Sequence, residues 1–213
     1  GSIAHKIGVA PPELAENMES IFSDFEHIIP DAMTHWQHPR FFAYFNSNAA
    51  PASMLAEQLA NAISAQCMLW QTSPAATEME TRMMDWLRQA LDLPEEFQGV
   101  IQDSASSATL AAVLTMREKA LNWQGNEQGL FAQKTLRIYC SSEVHTSVDR
   151  AIWVAGIGQQ NLVRVPIKGD WRGMDPEALD AAIEADIAVG HQPAGVILCV
   201  GGTGVGATDP VDQ

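Results

Sequence analysis

Gly99-Val100-Ile101-Gln102-Asp103-Ser104-Ala105-Ser106-Ser107-Ala108-Thr109 is the stretch on which the reading of the fold turns. A short apolar run stops at small hydroxylated residues, and a helical pattern, Thr109-Leu110-Ala111-Ala112-Val113-Leu114, follows at once. The start of a helix has unpaired backbone N–H groups and the positive end of the helix dipole, so such a junction can hold a phosphate group. The hydroxyls of Ser104 and Ser106 would add donors. An ordinary strand-to-helix turn with serine capping fits the same residues.

Downstream of this junction, strand-like and helical runs alternate. Residues 100–101, 136–140, 162–165 and 195–200 read as strands; residues 105–123, 144–155 and 175–189 read as helices, the last with Asp175 as cap and Pro176 in its first position. These strands are apolar on both faces and their connections are helical, which predicts an α/β fold built on a mostly parallel sheet. Residues 124–133 read as a polar surface loop. Upstream, the spacing predicts helices over residues 11–29, 51–69 and 74–91, with Pro12 in the first turn of the first, and Ser73 as cap and Pro74 as first residue of the third. Between the first two lies the aromatic segment Thr34-His35-Trp36-Gln37-His38-Pro39-Arg40-Phe41-Phe42-Ala43-Tyr44-Phe45-Asn46-Ser47-Asn48. Its rings suit either core packing or the wall of a pocket for an aromatic ligand.

The 213 residues suffice for one good-sized domain, and 46% hydrophobic against 18% charged residues marks a globular chain. A formal charge of −14 argues against a nucleic-acid-binding surface. Cys67, Cys140 and Cys199 sit apart in apolar segments, an arrangement expected of reduced thiols in a cytoplasmic protein and not of a zinc motif. No run is apolar enough to suggest a membrane span or a signal peptide, and Gly1-Ser2 reads as a cloning remnant.

In an open α/β sheet, ligands bind beyond the carboxyl ends of the strands. Two segments satisfy that rule together: Ser104-Ala105-Ser106, and Ser141-Ser142-Glu143-Val144-His145-Thr146-Ser147. His145 is therefore the histidine with a candidate chemical role, although a helix cap is the commoner use of such a residue. His5, His27 and His191 read as surface residues, and His35 and His38 belong to the aromatic segment. Residues 202–207 fit the G-x-G-x-x-A pattern of dinucleotide sites, but no helical pattern opens behind them, so a glycine-rich turn is the better reading. That pattern nevertheless keeps a nicotinamide-dependent oxidoreductase as an alternative.

Taken in order, several segments resemble the pyridoxal-phosphate-dependent group II amino-acid decarboxylases, the family of the aromatic-L-amino-acid decarboxylases. They are residues 38–45, 72–80, 84–87, 100–106 and 145–150, and Gly201-Gly202-Thr203 through Asp209-Pro210. The resemblance runs from about Trp36 to the last residues. It implies an aspartate-aminotransferase-like, fold type I enzyme, with residues 1–50 as a helical and aromatic N-terminal segment and residues 51–213 as the first part of the large cofactor-binding domain. It also implies pyridoxal 5'-phosphate as cofactor, decarboxylation of an L-amino acid, an aromatic substrate and a homodimer with sites at the subunit interface.

Carried over residue by residue, Ser104, Ala105 and Ser106 match the phosphate-binding segment, and His145 matches the histidine that stacks on the pyridine ring. Cys199 falls where relatives often have a threonine close to the cofactor. Trp36, Tyr44, Phe45 and Ser47 match the lining of the substrate pocket. Asp103, Ser107 and Gly202 depart from the glycine, glutamate and threonine common at those positions. The family's Schiff-base lysine and its acidic partner, in His-Lys and His-x-Asp segments, have no counterpart here. The lysines are Lys6, Lys119, Lys134 and Lys168; Lys6 follows His5, but it stands ahead of all these segments and not after them. This chain alone is accordingly expected to be inactive, as the front part of an enzyme, and a non-catalytic paralogue is a second alternative.

Overall fold

A computed structural model describes residues 3–44, 46–47 and 49–212. The chain divides into two compact units, Gly1–Leu59 and Ala60–Gln213.

In the first unit, α1 spans Met18–Ala32 and α2, Pro51–Ile63, runs across the division. Helix α1 starts later than the sequence pattern predicts. The Asn17 side chain accepts the Ser20 N–H and nucleates the helix there. Upstream, Pro12 disfavours helical backbone at Pro11, so residues 11–17 stay irregular. Helix α2 ends earlier than predicted, because Ser64 adopts a left-handed conformation with φ of 50°.

The second unit contains α3 (Pro74–Ala90), α4 (Ala105–Ala120), α5 (Gly125–Gln128), β1 (Leu136–Ser141), α6 (Ser147–Val154), β2 (Leu162–Val165), β3 (Ile167–Lys168), β4 (Gly173–Met174), α7 (Pro176–Ala188) and β5 (Gln192–Ile197). Strands β2-β1-β5 form one sheet in that order, all parallel, and β3 and β4 form a small antiparallel hairpin. The predicted parallel α/β architecture is what the chain adopts.

Side chains alternate across β1, and each face has its own cover. Ile138 and Cys140 pack with Val113 of α4 and with Val148, Ala151 and Ile152 of α6. Tyr139 packs on the other face with Val165 and Met174 and with Leu179, Ala182 and Ile183 of α7. Helices on both faces explain why these strands read as continuous apolar runs. A register shift makes Ala194 an extra residue in β5, and its neighbour Gly195 lies so close under α4 that a Cβ there would come within 2.5 Å of Met116 Sδ.

Three local expectations need correction. Residues 100–101 form no strand: the Ile101 N–H goes to Glu80 Oε1 of α3 at 2.7 Å, and no neighbouring strand takes it. Residues 124–133 are not simply a polar loop. They contain α5, whose Asn126 N–H bonds the buried Glu118 carboxylate at 3.1 Å, and Arg117 joins Glu118, Asn126 and the Ala155 carbonyl. The last strand, expected at 195–200, runs from Gln192 to Ile197, because its amino end is drawn into register with Leu136 and Arg137. Pro74 and Pro176 open α3 and α7 as predicted. Asp175 caps α7 through the Glu177 N–H at 3.1 Å, whereas the Ser73 side chain makes no capping bond.

Candidate functional site

The path of the chain singles out one place. From β1 it crosses by α6 to β2 on one side, then returns by the β3–β4 hairpin and α7 to β5 on the other side of β1. The strand order therefore reverses at β1, and the crevice beyond the carboxyl end of a strand at such a switch point is where open α/β sheets bind ligands. The segment leaving that end of β1 carries His145.

Ser104 is the cap of α4. Its Oγ accepts the Ser107 N–H at 3.2 Å, and its own backbone is extended. The amides of Ala105 and Ser106, the next donors of the first turn, have no acceptor among the described residues, and both residues are exposed. Two amides and the Ser106 hydroxyl on one helix end form a donor set suited to a dianionic phosphate. A cleft of about 170 Å³ between α4 and α6 is lined by Ser106, Ser107 and Leu110 from one helix and by Ser147, Arg150 and Ala151 from the other. The helix start thus faces the first turn of α6, two residues past His145, although no strand leads into α4 as the sequence suggested.

His145 is exposed, and its Nδ1 accepts the Ser147 N–H at 3.1 Å while its carbonyl accepts the Val148 N–H at 3.1 Å. The capping use of this histidine is therefore real. An accepting Nδ1 puts the proton of the neutral ring on Nε2 and fixes the ring plane, leaving both ring faces outside that bond.

Cys199 follows β5, beside β1. Burial chiefly, then the neighbouring Asp209 carboxylate, pushes its thiol pKa up. Asp209 is the site feature that sequence reasoning assigned only to a turn. Its buried carboxylate accepts the Cys199 N–H at 2.6 Å and the Met174 N–H at 2.7 Å, and its own N–H bonds the Cys199 carbonyl at 2.8 Å. An Asp-Pro pair closing a glycine-rich turn was the available signal, but its partners are brought to it only by the fold.

Residues 202–207 do form a turn. The amides of Gly201 and Gly202 both bond the Ala207 carbonyl, Val200 bridges Thr208, and no helix follows among the described residues. That is not the strand-to-helix crossing a dinucleotide site requires.

In the first unit, Trp36, Phe41 and Tyr44 form an aromatic cluster: Trp36 and Tyr44 stack with centroids 5.4 Å apart and 10° from parallel, and Phe41 is tilted against Trp36. Tyr44 holds a left-handed backbone, φ 61°, and the Asn46 side chain bonds the Trp36 carbonyl at 3.2 Å. Trp36, Tyr44 and Ser47 are exposed; Phe45 lies outside the described residues.

None of the lysines in the second unit lines the cleft between α4 and α6. Lys119 is in the last turn of α4, Lys134 precedes β1 at its amino end, and Lys168 in β3 pairs with Glu177 and Asp175.

The comparisons with known proteins agree on one family. The model of the pyridoxal-dependent decarboxylase conserved domain matches residues 2–213. Aromatic-L-amino-acid decarboxylase of Mus musculus is 40% identical over 215 residues, covering 95% of this chain and 44% of that protein. Tryptophan decarboxylase of Catharanthus roseus, solved in complex with L-tryptophan, superposes with a TM-score of 0.91 at 34% identity, over 100% of this chain and 46% of its own. Oryza sativa TDC, solved with PLP and tryptamine, gives 0.87 at 32% identity, over 95% and 43%. The chain thus spans less than half the length of these relatives. A match over nearly every residue of the chain, on the parallel α/β fold already described, makes the conclusion plain: the chain belongs to the pyridoxal-dependent decarboxylase family.

Proposed function

We propose that the full-length protein decarboxylates an aromatic L-amino acid with pyridoxal 5'-phosphate, and that residues 51–213 supply the first part of its cofactor-binding domain. The observation that carries this reading is the serine-capped start of α4 facing the first turn of α6, just past the loop that bears His145.

The donor set fits the group. Ser106 Oγ and the amides of Ala105 and Ser106 would hold the phosphate, with Ser104 keeping the first turn of α4 in shape. His145 would offer a ring face to the pyridine, its tilt fixed by the Ser147 N–H. Cys199 would border the cofactor from the end of β5, on a backbone held by Asp209. When bound, the cofactor supplies an electron sink for the pair released as carbon dioxide departs. What this chain would contribute is orientation: the phosphate anchor at the start of α4 and the ring of His145 would hold the cofactor in one pose. Trp36, Tyr44, Phe45 and Ser47 would border the substrate side chain, and the aromatic trio supports a flat, apolar substrate.

We also infer a homodimer in a reducing, cytoplasmic setting. Met79, Met83 and Trp86 form an exposed apolar stripe at helical spacing on α3, which a partner surface would cover. The three cysteines are unpaired, and no helix of the described residues is long and apolar enough to cross a membrane.

The test is an assay of the full-length protein with pyridoxal phosphate and aromatic amino acids, following carbon dioxide, the amine and cofactor affinity. Ser106→Glu puts a negative charge where the phosphate must sit and should weaken cofactor binding more than about tenfold. Equal affinity in wild type and Ser106→Glu would remove the site, and an absence of carbon dioxide release would favour a non-catalytic paralogue.

A further inference from the structure

We propose that Arg164 is a positioning residue whose guanidinium staples both ends of the loop carrying His145. The loop, residues 142–146, leaves β1 at Ser141 and enters α6 at Ser147. Arg164 Nη1 donates to the Ser141 carbonyl at 3.3 Å, and Nη2 donates to Asp149 Oδ1, in the first turn of α6, at 2.6 Å. One planar group thus spans the entry and the exit of the loop.

Both ends of this staple are rigid. Arg164 is the register partner of Cys140 in the parallel β1–β2 pair, so its Cα is fixed by the sheet. Asp149 is held in turn by Gln159 Nε2 at 2.7 Å, and Gln159 by the Trp153 indole N–H. The Arg164 side chain keeps 35% of its surface exposed and that of Asp149 17%. Arg172, in the β3–β4 turn, pairs with Glu143 inside the loop, and the Glu143 N–H bonds Ser141 Oγ at 3.3 Å. With the ends pinned and the middle tied to the hairpin, the Ser147 N–H bond to Nδ1 then sets the imidazole.

An exposed ion pair adds little to stability, and stability is not the role inferred here. The fork geometry matters: a lysine could keep the charge facing Asp149 but could not hold the carbonyl and the carboxylate together in one plane. The consequence for turnover rests on the reading that His145 stands beside the cofactor ring; the staple itself does not.

Hydrogen exchange of the full-length protein, without cofactor and with pyridoxal phosphate added, tests the staple. In Arg164→Met, residues 142–149 should exchange about tenfold faster, as expected when a charge-assisted bond is lost, while residues 176–188 in α7 keep their wild-type rate. Arg164→Lys should fall between. Asp149→Asn, which weakens the exit contact and leaves the Ser141 contact of Arg164 in place, serves if Arg164→Met does not fold. Turnover should fall about tenfold with the KM for the amino acid unchanged, the pattern of lost orientation rather than lost binding. Wild-type exchange over 142–149 in a folded variant overturns the proposal, as does acceleration spread equally over α7. Faster loop exchange with unchanged turnover supports the staple and instead removes His145 from the cofactor ring.

Discussion

His145→Ala removes two things at once, and they can be measured separately. Losing the Nδ1 acceptor of the Ser147 N–H should cost about 0.5–2 kcal/mol, the range for a lost helix cap. Losing the ring should lower turnover of the full-length protein far more than cofactor affinity. His145→Phe restores a ring face but no acceptor, so turnover should recover in part while the thermal midpoint stays low. Turnover per folded molecule unchanged in His145→Ala would reduce this residue to a cap. The cysteines make an independent probe. Cys140 is fully buried, and burial pushes its thiol up to about 11, so little thiolate exists at neutral pH. Cys67 is exposed, and Cys199 is half-buried with a raised pKa. Native alkylation followed by peptide mass analysis should label Cys67 first, Cys199 slowly and Cys140 last. Equal labelling of Cys140 and Cys67 would mean that the sheet opens.

At the scale of elements, the β3–β4 hairpin depends on a close backbone approach. A Cβ at Gly173 would come within 2.4 Å of the Thr208 carbonyl, so Gly173→Ala must push β4 away from the segment at Thr208 and should cost about 1–3 kcal/mol in chemical denaturation. The face of the sheet under α7 depends on Asp186, which accepts from Arg137 Nε and from the buried Tyr139 hydroxyl, each at 2.9 Å. Burial pushes the Asp186 carboxyl up, but these two hydrogen bonds and the Arg137 charge outweigh it and hold it below the usual range. A carboxylate depressed in the folded state contributes stability above its unfolded pKa of about 3.9, and that contribution is lost as pH falls through the folded value. Thermal midpoints should therefore fall on acidification below about pH 4. Tyr139→Phe should lower stability at neutral pH by about 1–3 kcal/mol and flatten that acid limb, since Asp186 is then less depressed. An acid limb as steep as in wild type would show that the Tyr139 bond does not set the titration.

At the scale of the molecule, no lysine of the second unit lines the cleft between the start of α4 and α6. The polypeptide alone, incubated with pyridoxal phosphate and reduced with borohydride, should show no stoichiometric adduct at Lys119, Lys134 or Lys168 and should release no carbon dioxide. A single such adduct with carbon dioxide release would overturn that expectation. The sequence by itself determined the features whose causes are local. Two-sided burial leaves continuous apolar runs, so 136–140 and 162–165 were legible as strands; proline at a first helical position marked α3 and α7, and a side-chain acceptor marked the Asp175 cap. Residue types alone also picked out Ser104, Ser106 and His145. Only the tertiary structure decided what depends on a distant partner. Val100 and Ile101 have the composition of a strand, yet Glu80 takes the Ile101 amide. Asp209 meets Met174 from 35 positions away, and Arg164 meets both Ser141 and Asp149, because the chain turns back on either side of β1. A hydrogen-bonding side chain advertises its capacity in the sequence; which group fills it is set by the path of the backbone.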